Sequence, residues 1–284
     1  MFADAHCDFL YEAYARKLFL NNNKTYITID TLRDNVSLQV FAVWNDWRRC
    51  AEPFQTALDM IAYYDEHIKP TLMANNIIGV LSIEGCEPLT DINKLHRLYD
   101  AGVRIFGLTW NHDNHISGGT GSKAGLTSFG KRFIKELFAL GAVCDLAHIS
   151  RKGFFEALES DVRVMASHAN ADALFHHPRN LTDEQVLALH QRNAFIGVSM
   201  CANFMSDGDA YTSDVVKHME HILSLTGNPK LLGLGSDFDG AQRYPIDIKS
   251  PRDFCKIREG LLTHGVSEEA VEDICYGNLR RFIL

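Results

Sequence analysis

Eight short apolar runs recur along the 284-residue chain, and amphipathic segments lie between them. Each run is nearly continuous in apolar residues, as expected of parallel strands that are buried on both faces. Strands that alternate with helical segments indicate β–α units. The runs are FADAH, SLQVFAVW, IIGVLSIE, VRIFGLTW, GAVCDLAH, VRVMASH, AFIGVSM and LLGLGSD.

Helix signals fall between these runs. The apolar residues of Phe129–Leu140 follow helical spacing, and Ser128 and Gly141 stand at the positions of a start and a stop signal. Thr182 and Gln185 have the spacing of a capping box and predict the start of another helix.

Eight strand–helix units predict an α/β fold, a TIM-like (β/α)8 barrel, whose functional residues gather at the carboxyl ends of the strands. A doubly wound open sheet is the alternative, and the absence of a glycine-rich phosphate loop after the first strand weakens it. No Pro/Ser-rich linker, low-complexity segment or repeat divides the chain, so we expect a single domain over residues 1–284.

Composition limits the cellular location and the classes of binding partner that we expect. The chain has 28 Lys and Arg against 36 Asp and Glu, a net charge of −8, which argues against nucleic acid and anionic membranes as partners. No apolar run is long enough to span a bilayer, and the beginning, MFADAHCDFL, does not resemble a signal peptide. Seven cysteines without a CxxC pair fit a reducing compartment. We therefore expect a cytoplasmic protein.

Chemistry-bearing side chains stand where the apolar runs end. Histidine and carboxylate together suit zinc and its first-row neighbours, and one carboxylate can bridge two ions. Any one of these residues alone is typical of a structural hydrogen bond or a cap, but six at the same end of five strands indicate a metal site. The six are His6, Asp8, Glu84, His148, His168 and Asp237.

An ordered set of motifs from residue 4 to about 240, with a similar segment in the last helix, closely resembles the membrane (renal) dipeptidase family, peptidase family M19. The individual motifs are short, but their order along the chain is specific. Besides HxD in the first strand they are Ser82–Gly85, Asp145–Ser150, Ser167–Asn170, His177–Asp183, Gly235–Gly240 and Gly277–Arg280.

This resemblance implies a binuclear zinc hydrolase of the metal-dependent hydrolase type. His6 and Asp8 would hold one ion, His148 and His168 the other, and Glu84 would bridge the two. A hydroxide shared by the ions would attack the peptide carbonyl, because bound zinc lowers the pKa of water to about 7.

The resemblance also implies roles in substrate handling. Asp237 matches the aspartate that moves the proton from water to the leaving amine, and Arg179 matches the arginine that binds the substrate's carboxylate. The implied substrates are dipeptides, including those with a D-residue at the carboxyl end, as bacterial-type members cleave. A homodimer is common in the family, and no stripe in this sequence identifies an interface.

The chain departs from the family pattern at three points. Trp110 stands where many members carry a histidine that polarises the scissile carbonyl, and His112 or His115 in the following loop is a candidate replacement. Phe204 stands where some relatives have a tyrosine near the substrate carboxylate, so we include Trp110, His112 and Phe204 among the substrate-binding candidates. Cys7 replaces the usual Asn inside HxD.

Two alternatives to a zinc dipeptidase stay open. The first is another binuclear-metal amidohydrolase that acts on a different amide, a lactone or a phosphoester, since Arg179 would also suit a phosphate. Strand one ends in HxD rather than HxH, which argues against a TatD-like phosphoesterase. The second is a metal-binding protein without catalysis, which the departure at Trp110 makes conceivable.

Overall fold

The computed structural model describes residues 1–284, in which eight parallel strands close into a barrel in chain order. Each strand pairs with the next, and β8 closes the barrel against β1. The eight predicted strands and the TIM-like barrel are confirmed. The strands are β1 (Phe2–Asp4), β2 (Val36–Val43), β3 (Ile78–Glu84), β4 (Val103–Gly107), β5 (Val143–Asp145), β6 (Arg163–Ala166), β7 (Phe195–Val198) and β8 (Leu232–Leu234).

Every strand is followed by helical structure before the next strand begins. Two π-helical turns lie at Tyr64–Ile68 and Asp273–Gly277, and three 3₁₀ turns lie at Ala202–Phe204, Pro229–Leu231 and Pro251–Asp253. The α-helices are α1 (Phe9–Arg16), α2 (Ile29–Leu32), α3 (Pro53–Tyr63), α4 (Lys69–Ala74), α5 (Ile92–Asp100), α6 (Ser128–Leu140), α7 (Arg151–Leu158), α8 (Asp183–Gln191), α9 (Thr212–Thr226), α10 (Phe254–Thr263), α11 (Glu268–Glu272) and α12 (Asn278–Ile283). None of these helices has the length and apolar character needed to cross a membrane.

The predicted helix ends are nearly right. Helix α6 ends at Gly141, whose φ of 67° is the left-handed conformation that glycine adopts most readily. Ser128 as its start signal is wrong: the side chain of Thr127 accepts a hydrogen bond from the Gly130 N–H, and Ser128 is already helical. The capping box of Thr182 and Gln185 at the start of α8 is confirmed.

Two hydrophobic layers hold the barrel. A cluster of 69 buried residues includes the apolar surface between strands and helices. A second cluster of 10 residues includes one residue or more from each of β1 to β7, together with Leu279 of α12. Phe282 and Ile283 of α12 pack against this second cluster, so the last helix covers part of the inner core.

The strands stop short of the polar residues that ended the apolar runs. Glu84 is the last residue of β3, whereas His6 lies two residues beyond β1 and His148 three residues beyond β5. Asp237 lies three residues beyond β8. These side chains are therefore carried by short segments at the carboxyl ends of the strands, the end where TIM barrels build their sites.

Candidate metal centre

Glu84 lies at the centre of the cluster, and its two carboxylate oxygens face different partners. Oε2 lies 3.5 Å from His6 Nε2. Oε1 lies 2.7 Å from His148 Nε2 and 3.7 Å from His168 Nε2. A carboxylate with different donors on each oxygen has the arrangement needed to bridge two ions.

On the Oε2 side, His6 stands between three carboxylates. Its Nε2 lies 3.7 Å from Asp8 Oδ2 and 3.8 Å from Asp237 Oδ1, in addition to Glu84. The ligand atoms of His6, Asp8 and Glu84 all lie within 4.8 Å of one another, and so do those of His6, His168 and Asp237.

On the Oε1 side, two imidazoles face each other. His148 Nε2 and His168 Nε2 are 2.9 Å apart, and with Glu84 they form a third group within 4.8 Å. The ring of His168 also lies against that of His6, with ring centroids 3.9 Å apart. The two sides of Glu84 are therefore contiguous.

The backbone at two of these residues is strained. His148 has φ of 64° and Asp237 has φ of 61°, a region that non-glycine residues seldom adopt. Hydroxyl groups hold both carbonyls: Thr109 and Thr120 each donate to His148 O at 3.1 Å, and Tyr244 donates to Asp237 O at 2.8 Å. Strain of this kind persists where the surrounding contacts enforce it, and it is frequent at functional sites.

Burial and crowding of charge perturb the carboxylates. Burial raises the pKa of Asp8 to about 6, and the negative charge of Glu84 adds to the effect. Burial likewise raises the pKa of Asp237 well above its ordinary value. Burial alone would raise the pKa of Glu84, but the facing imidazoles of His6 and His148 lower it well below its ordinary value.

The three histidines differ in charge preference. Burial lowers the pKa of His148 to about 4, and the charge of Arg179 acts in the same direction. Burial also lowers the pKa of His168 well below its ordinary value. At His6, burial alone would lower the pKa, but the negative charges of Glu84 and Asp8 have the larger effect and raise the pKa of His6 well above its ordinary value. His148 and His168 are therefore neutral near pH 7, the form in which imidazole binds metals.

The donor set fits a pair of divalent cations. His6 Nε2 and Asp8 Oδ1 are buried without any hydrogen-bond partner. Buried polar atoms are seldom left unpaired, so each such atom calls for a missing partner. A mixture of imidazole and carboxylate around these atoms suits zinc and related first-row metals.

Further polar groups orient the histidine rings, and the sequence patterns did not reveal them. Asn111 Oδ1 lies 2.8 Å from His148 Nδ1, and Ser167 Oγ lies 2.8 Å from His168 Nδ1. Asp145 in turn accepts the Ser167 N–H at 2.9 Å. Groups of this kind fix the ring and leave the other nitrogen for a ligand.

A cavity of about 600 Å³ opens beside the cluster. It is bordered by four of the metal-site candidates, Asp8, Glu84, His148 and Asp237, and by Arg179, Trp110 and Phe204. The cavity is also lined by residues that were not among the predicted site residues, including Tyr11, Trp44, Asn111, Cys201 and Asp239.

Arg179 is the cation of this cavity. It is only 7% exposed, its Nη2 donates to His168 O at 3.1 Å, and its Nε is buried without a partner. Its Cζ lies 5.3 Å from the ring centre of Phe204, whose ring is 4.8 Å from that of His177. A buried guanidinium with a free donor at a cavity wall is suited to an anionic ligand.

The residues after β4 divide between the cavity and the surface. Trp110 borders the cavity, with its ring 5.2 Å from that of Trp44 and 6.4 Å from that of His148. His112 is exposed and is not among the cavity residues. His115 is held elsewhere, with Nε2 3.0 Å from Leu89 O. The structure therefore does not bring either of these histidines into the cavity.

The turn after β8 is packed tightly against the cluster. A Cβ atom at Gly240 would collide with Asp8 Oδ2 and lie 2.7 Å from Asp237 Oδ1, so any side chain there would displace these carboxylates. Asp239 accepts the N–H groups of Tyr26 and Ile27 at 2.7 and 3.1 Å and ties the segment before α2 to this turn.

Sequence comparison relates this chain to one family model and to curated proteins of two organisms. The family model described as membrane dipeptidase (peptidase family M19) matches residues 4–283. A Schizosaccharomyces pombe protein named as an uncharacterized dipeptidase is 28% identical over 222 residues, 75% of this chain and 54% of that protein. A Klebsiella pneumoniae protein, named only by its place in the pqqA 5′ region, is 33% identical over 203 residues, 66% of this chain and 74% of that protein. The chain thus spans about half the length of the fission-yeast relative.

Solved structures share the whole fold. The crystal structure of dipeptidase AC, a metallopeptidase of family M19, has a TM-score of 0.89 and 22% identity, covering 99% of this chain and 97% of that chain. A metallopeptidase from Rhodobacter sphaeroides, liganded with a phosphinate mimic of the dipeptide L-Ala-D-Ala, has a TM-score of 0.86 and 21% identity, covering 99% and 98%.

Proposed function

The chain belongs to the membrane dipeptidase family, peptidase family M19, and on that premise we propose that it is a metal-dependent dipeptidase. The observation that carries the proposal is the joint arrangement of Glu84 and Arg179. Glu84 presents each carboxylate oxygen to a different group of donors, and Arg179 is buried in the wall of the adjoining cavity. The cluster provides a place for the chemistry, and the arginine provides a place for the carboxylate that every free dipeptide carries.

We assign the metal ligands as the family resemblance implies. His6 and Asp8 would hold one ion, His148 and His168 would hold the other, and Glu84 would be shared by both, with zinc as the proposed metal. The unpaired atoms His6 Nε2 and Asp8 Oδ1 support this assignment. Two bound zinc ions would supply Lewis acidity, which lowers the pKa of water and polarises the scissile carbonyl.

Arg179 positions the substrate. Only one of its Nη N–H groups donates within the chain, so the others support a charge-assisted hydrogen bond to the terminal carboxylate, and the packing against Phe204 holds the guanidinium plane. Anchoring at the carboxylate places the single peptide bond of a dipeptide at a fixed distance from the cluster. A longer peptide anchored in the same way would need room for further residues beyond the scissile bond.

Asp237 handles the proton. Its Oδ1 lies 3.8 Å from His6 Nε2, and the residue borders the cavity, so the carboxylate lies between the cluster and the space that a substrate would occupy. It would accept the proton of the water as the carbonyl carbon is attacked. It would then deliver that proton to the amine as the peptide C–N bond breaks.

The stereochemical part of the proposal is that L-Xaa-D-Xaa dipeptides are among the substrates. The Rhodobacter metallopeptidase that shares this fold was crystallised with a mimic of L-Ala-D-Ala, which supports testing the D-configuration at the carboxyl end first.

The test is amine release from L,L- and L,D-dipeptides by zinc-loaded and chelator-stripped protein. The same protein is given N-acetylated dipeptides, tripeptides, lactones and phosphoesters. Zinc-dependent cleavage confined to free dipeptides supports the proposal. Turnover of a lactone or phosphoester with no dipeptide cleaved would replace it with the other hydrolase class.

A further inference from the structure

In the loop between β4 and α6, no histidine is placed to assist the metal ions in polarising the scissile carbonyl. Trp110 stands where the family resemblance places a carbonyl-polarising histidine, and neither His112 nor His115 borders the cavity. The residue next to Trp110, Asn111, does border it.

Asn111 is held firmly on one side. Its Oδ1 lies 2.8 Å from His148 Nδ1 and 3.3 Å from Thr120 Oγ1. The same hydroxyl of Thr120 lies 3.1 Å from His148 O, so Asn111, Thr120 and His148 form one compact unit.

The tautomer of His148 fixes the direction of the amide. His148 Nε2 faces Glu84 Oε1 at 2.7 Å, and a metal ion bound between them would need the lone pair of Nε2. The ring proton then sits on Nδ1, which donates to an oxygen, so the Oδ1 of Asn111 faces His148.

The Nδ2 group of Asn111 is consequently the free end of the amide. It donates to no acceptor within the chain, and it is not buried, so it is accessible from the solvent side. An amide N–H₂ that is open to the cavity and fixed by its own oxygen is a preorganised donor, the type of group that stabilises a developing oxyanion.

We propose that Asn111 Nδ2 donates a hydrogen bond to the oxygen of the scissile carbonyl and stabilises the negative charge that develops there. This inference rests on the proposed dipeptidase function. Trp110 is the competing donor through its indole N–H, but ring contacts alone hold it, whereas two polar contacts fix Asn111.

The experiment compares Asn111→Asp, Asn111→Ala and Trp110→Phe with wild type, and Lys123→Ala, an exposed residue of the same loop, is the matched control. Asn111→Asp keeps an oxygen for His148 Nδ1 and removes the N–H₂ donor. Zinc affinity is measured by chelator competition, and a phosphinate dipeptide analogue reports binding of the tetrahedral geometry.

For Asn111→Asp at saturating zinc we expect kcat to fall about 10²- to 10³-fold. KM and zinc affinity should stay within about threefold, and phosphinate binding should weaken in proportion to the loss in kcat/KM. Asn111→Ala should add a loss of zinc affinity of about 10- to 100-fold, because His148 loses its orienting oxygen.

The inference alone is overturned if wild type cleaves dipeptides and Asn111→Asp keeps kcat within about threefold. It is equally overturned if phosphinate binding is unchanged, or if Trp110→Phe suffers the loss instead. A zinc-loaded wild type that cleaves no dipeptide overturns the proposed function and this inference with it.

Discussion

Replacing Arg179 by Met removes the positive charge of this side chain from the cavity wall while keeping most of the side chain's length. The apolar stem of methionine can still pack against Phe204, where the guanidinium Cζ now lies 5.3 Å from the ring centre. Nη2 of the arginine already uses one N–H on His168 O, which leaves its second N–H and the two of Nη1 for a substrate carboxylate. The variant therefore deletes two charge-assisted hydrogen bonds from a buried site.

The magnitude follows from those two bonds. Hydrogen bonds to charged groups contribute about 1.5–3 kcal/mol each, part of which offsets the desolvation of the carboxylate. We expect a net loss of about 2–4 kcal/mol, which is about a 30- to 700-fold rise in KM at 1.4 kcal/mol per factor of ten. The turnover number should change little, because the carboxylate is bound equally in the ground state and the transition state.

The assay measures initial rates on a dipeptide and on its C-terminal amide, for wild type and Arg179→Met. The four values form a cycle that isolates the coupling between the arginine and the carboxylate. Arg179→Met should leave the rate on the amide within about threefold, and Arg179→Lys should fall between, since lysine keeps the charge without the planar fork. An equal loss on both substrates would refute the carboxylate role of Arg179.

Three further predictions follow from the cluster. Asp237→Asn should retain both metals by elemental analysis and lose at least about 100-fold in kcat, because general acid–base catalysis typically contributes that much; unchanged turnover would remove Asp237 from proton transfer. Gly240→Ala should weaken zinc binding about tenfold or more in chelator competition, since its Cβ would collide with Asp8 Oδ2, while Gly208→Ala, with its nearest neighbour at 3.7 Å, should behave as wild type. Zinc at 100 times its Kd should stabilise the fold by about 2.7 kcal/mol for each bound ion, raising Tm by about 4–5 °C per ion in calorimetry with and without chelator; coincident transitions would mean that the native state does not bind the metal.

The barrel was predictable from the sequence because its strands are buried on both faces. Runs such as IIGVLSIE are nearly unbroken apolar stretches, which is the pattern typical of parallel strands in a closed barrel. The strands themselves are shorter than the runs, since the chain leaves the ladder before His6, His148 and Asp237. The left-handed backbone at the last two shows why: these residues sit in turns that tertiary contacts enforce, which periodicity does not report.

The cluster was predictable as a set of residues but not as an arrangement. Residues after successive strands must meet at one end of a barrel, so His6, Glu84 and His168 were bound to lie near one another. Some of the groups that orient cluster residues come from distant parts of the chain: Asn111 contacts His148 across 37 positions, and Ser236 donates to His6 O across 230. Such partners exist only once the barrel has closed.

The same reason explains His112. A histidine close in sequence to Trp110 was the natural replacement for the missing one, but the loop turns His112 outward and leaves Asn111 at the cavity. Sequence distance says nothing about which side of a loop faces a cavity.

The most direct test of the account is dipeptide turnover by metal-free protein as zinc is added in known equivalents, with bound metal counted in parallel. We predict no turnover without metal, a rise that levels off at two bound ions per chain, and a Glu84→Gln variant that does not reach the wild-type plateau. Full turnover in the presence of excess chelator, or a plateau at one ion that Glu84→Gln shares, would contradict a bridged two-metal centre.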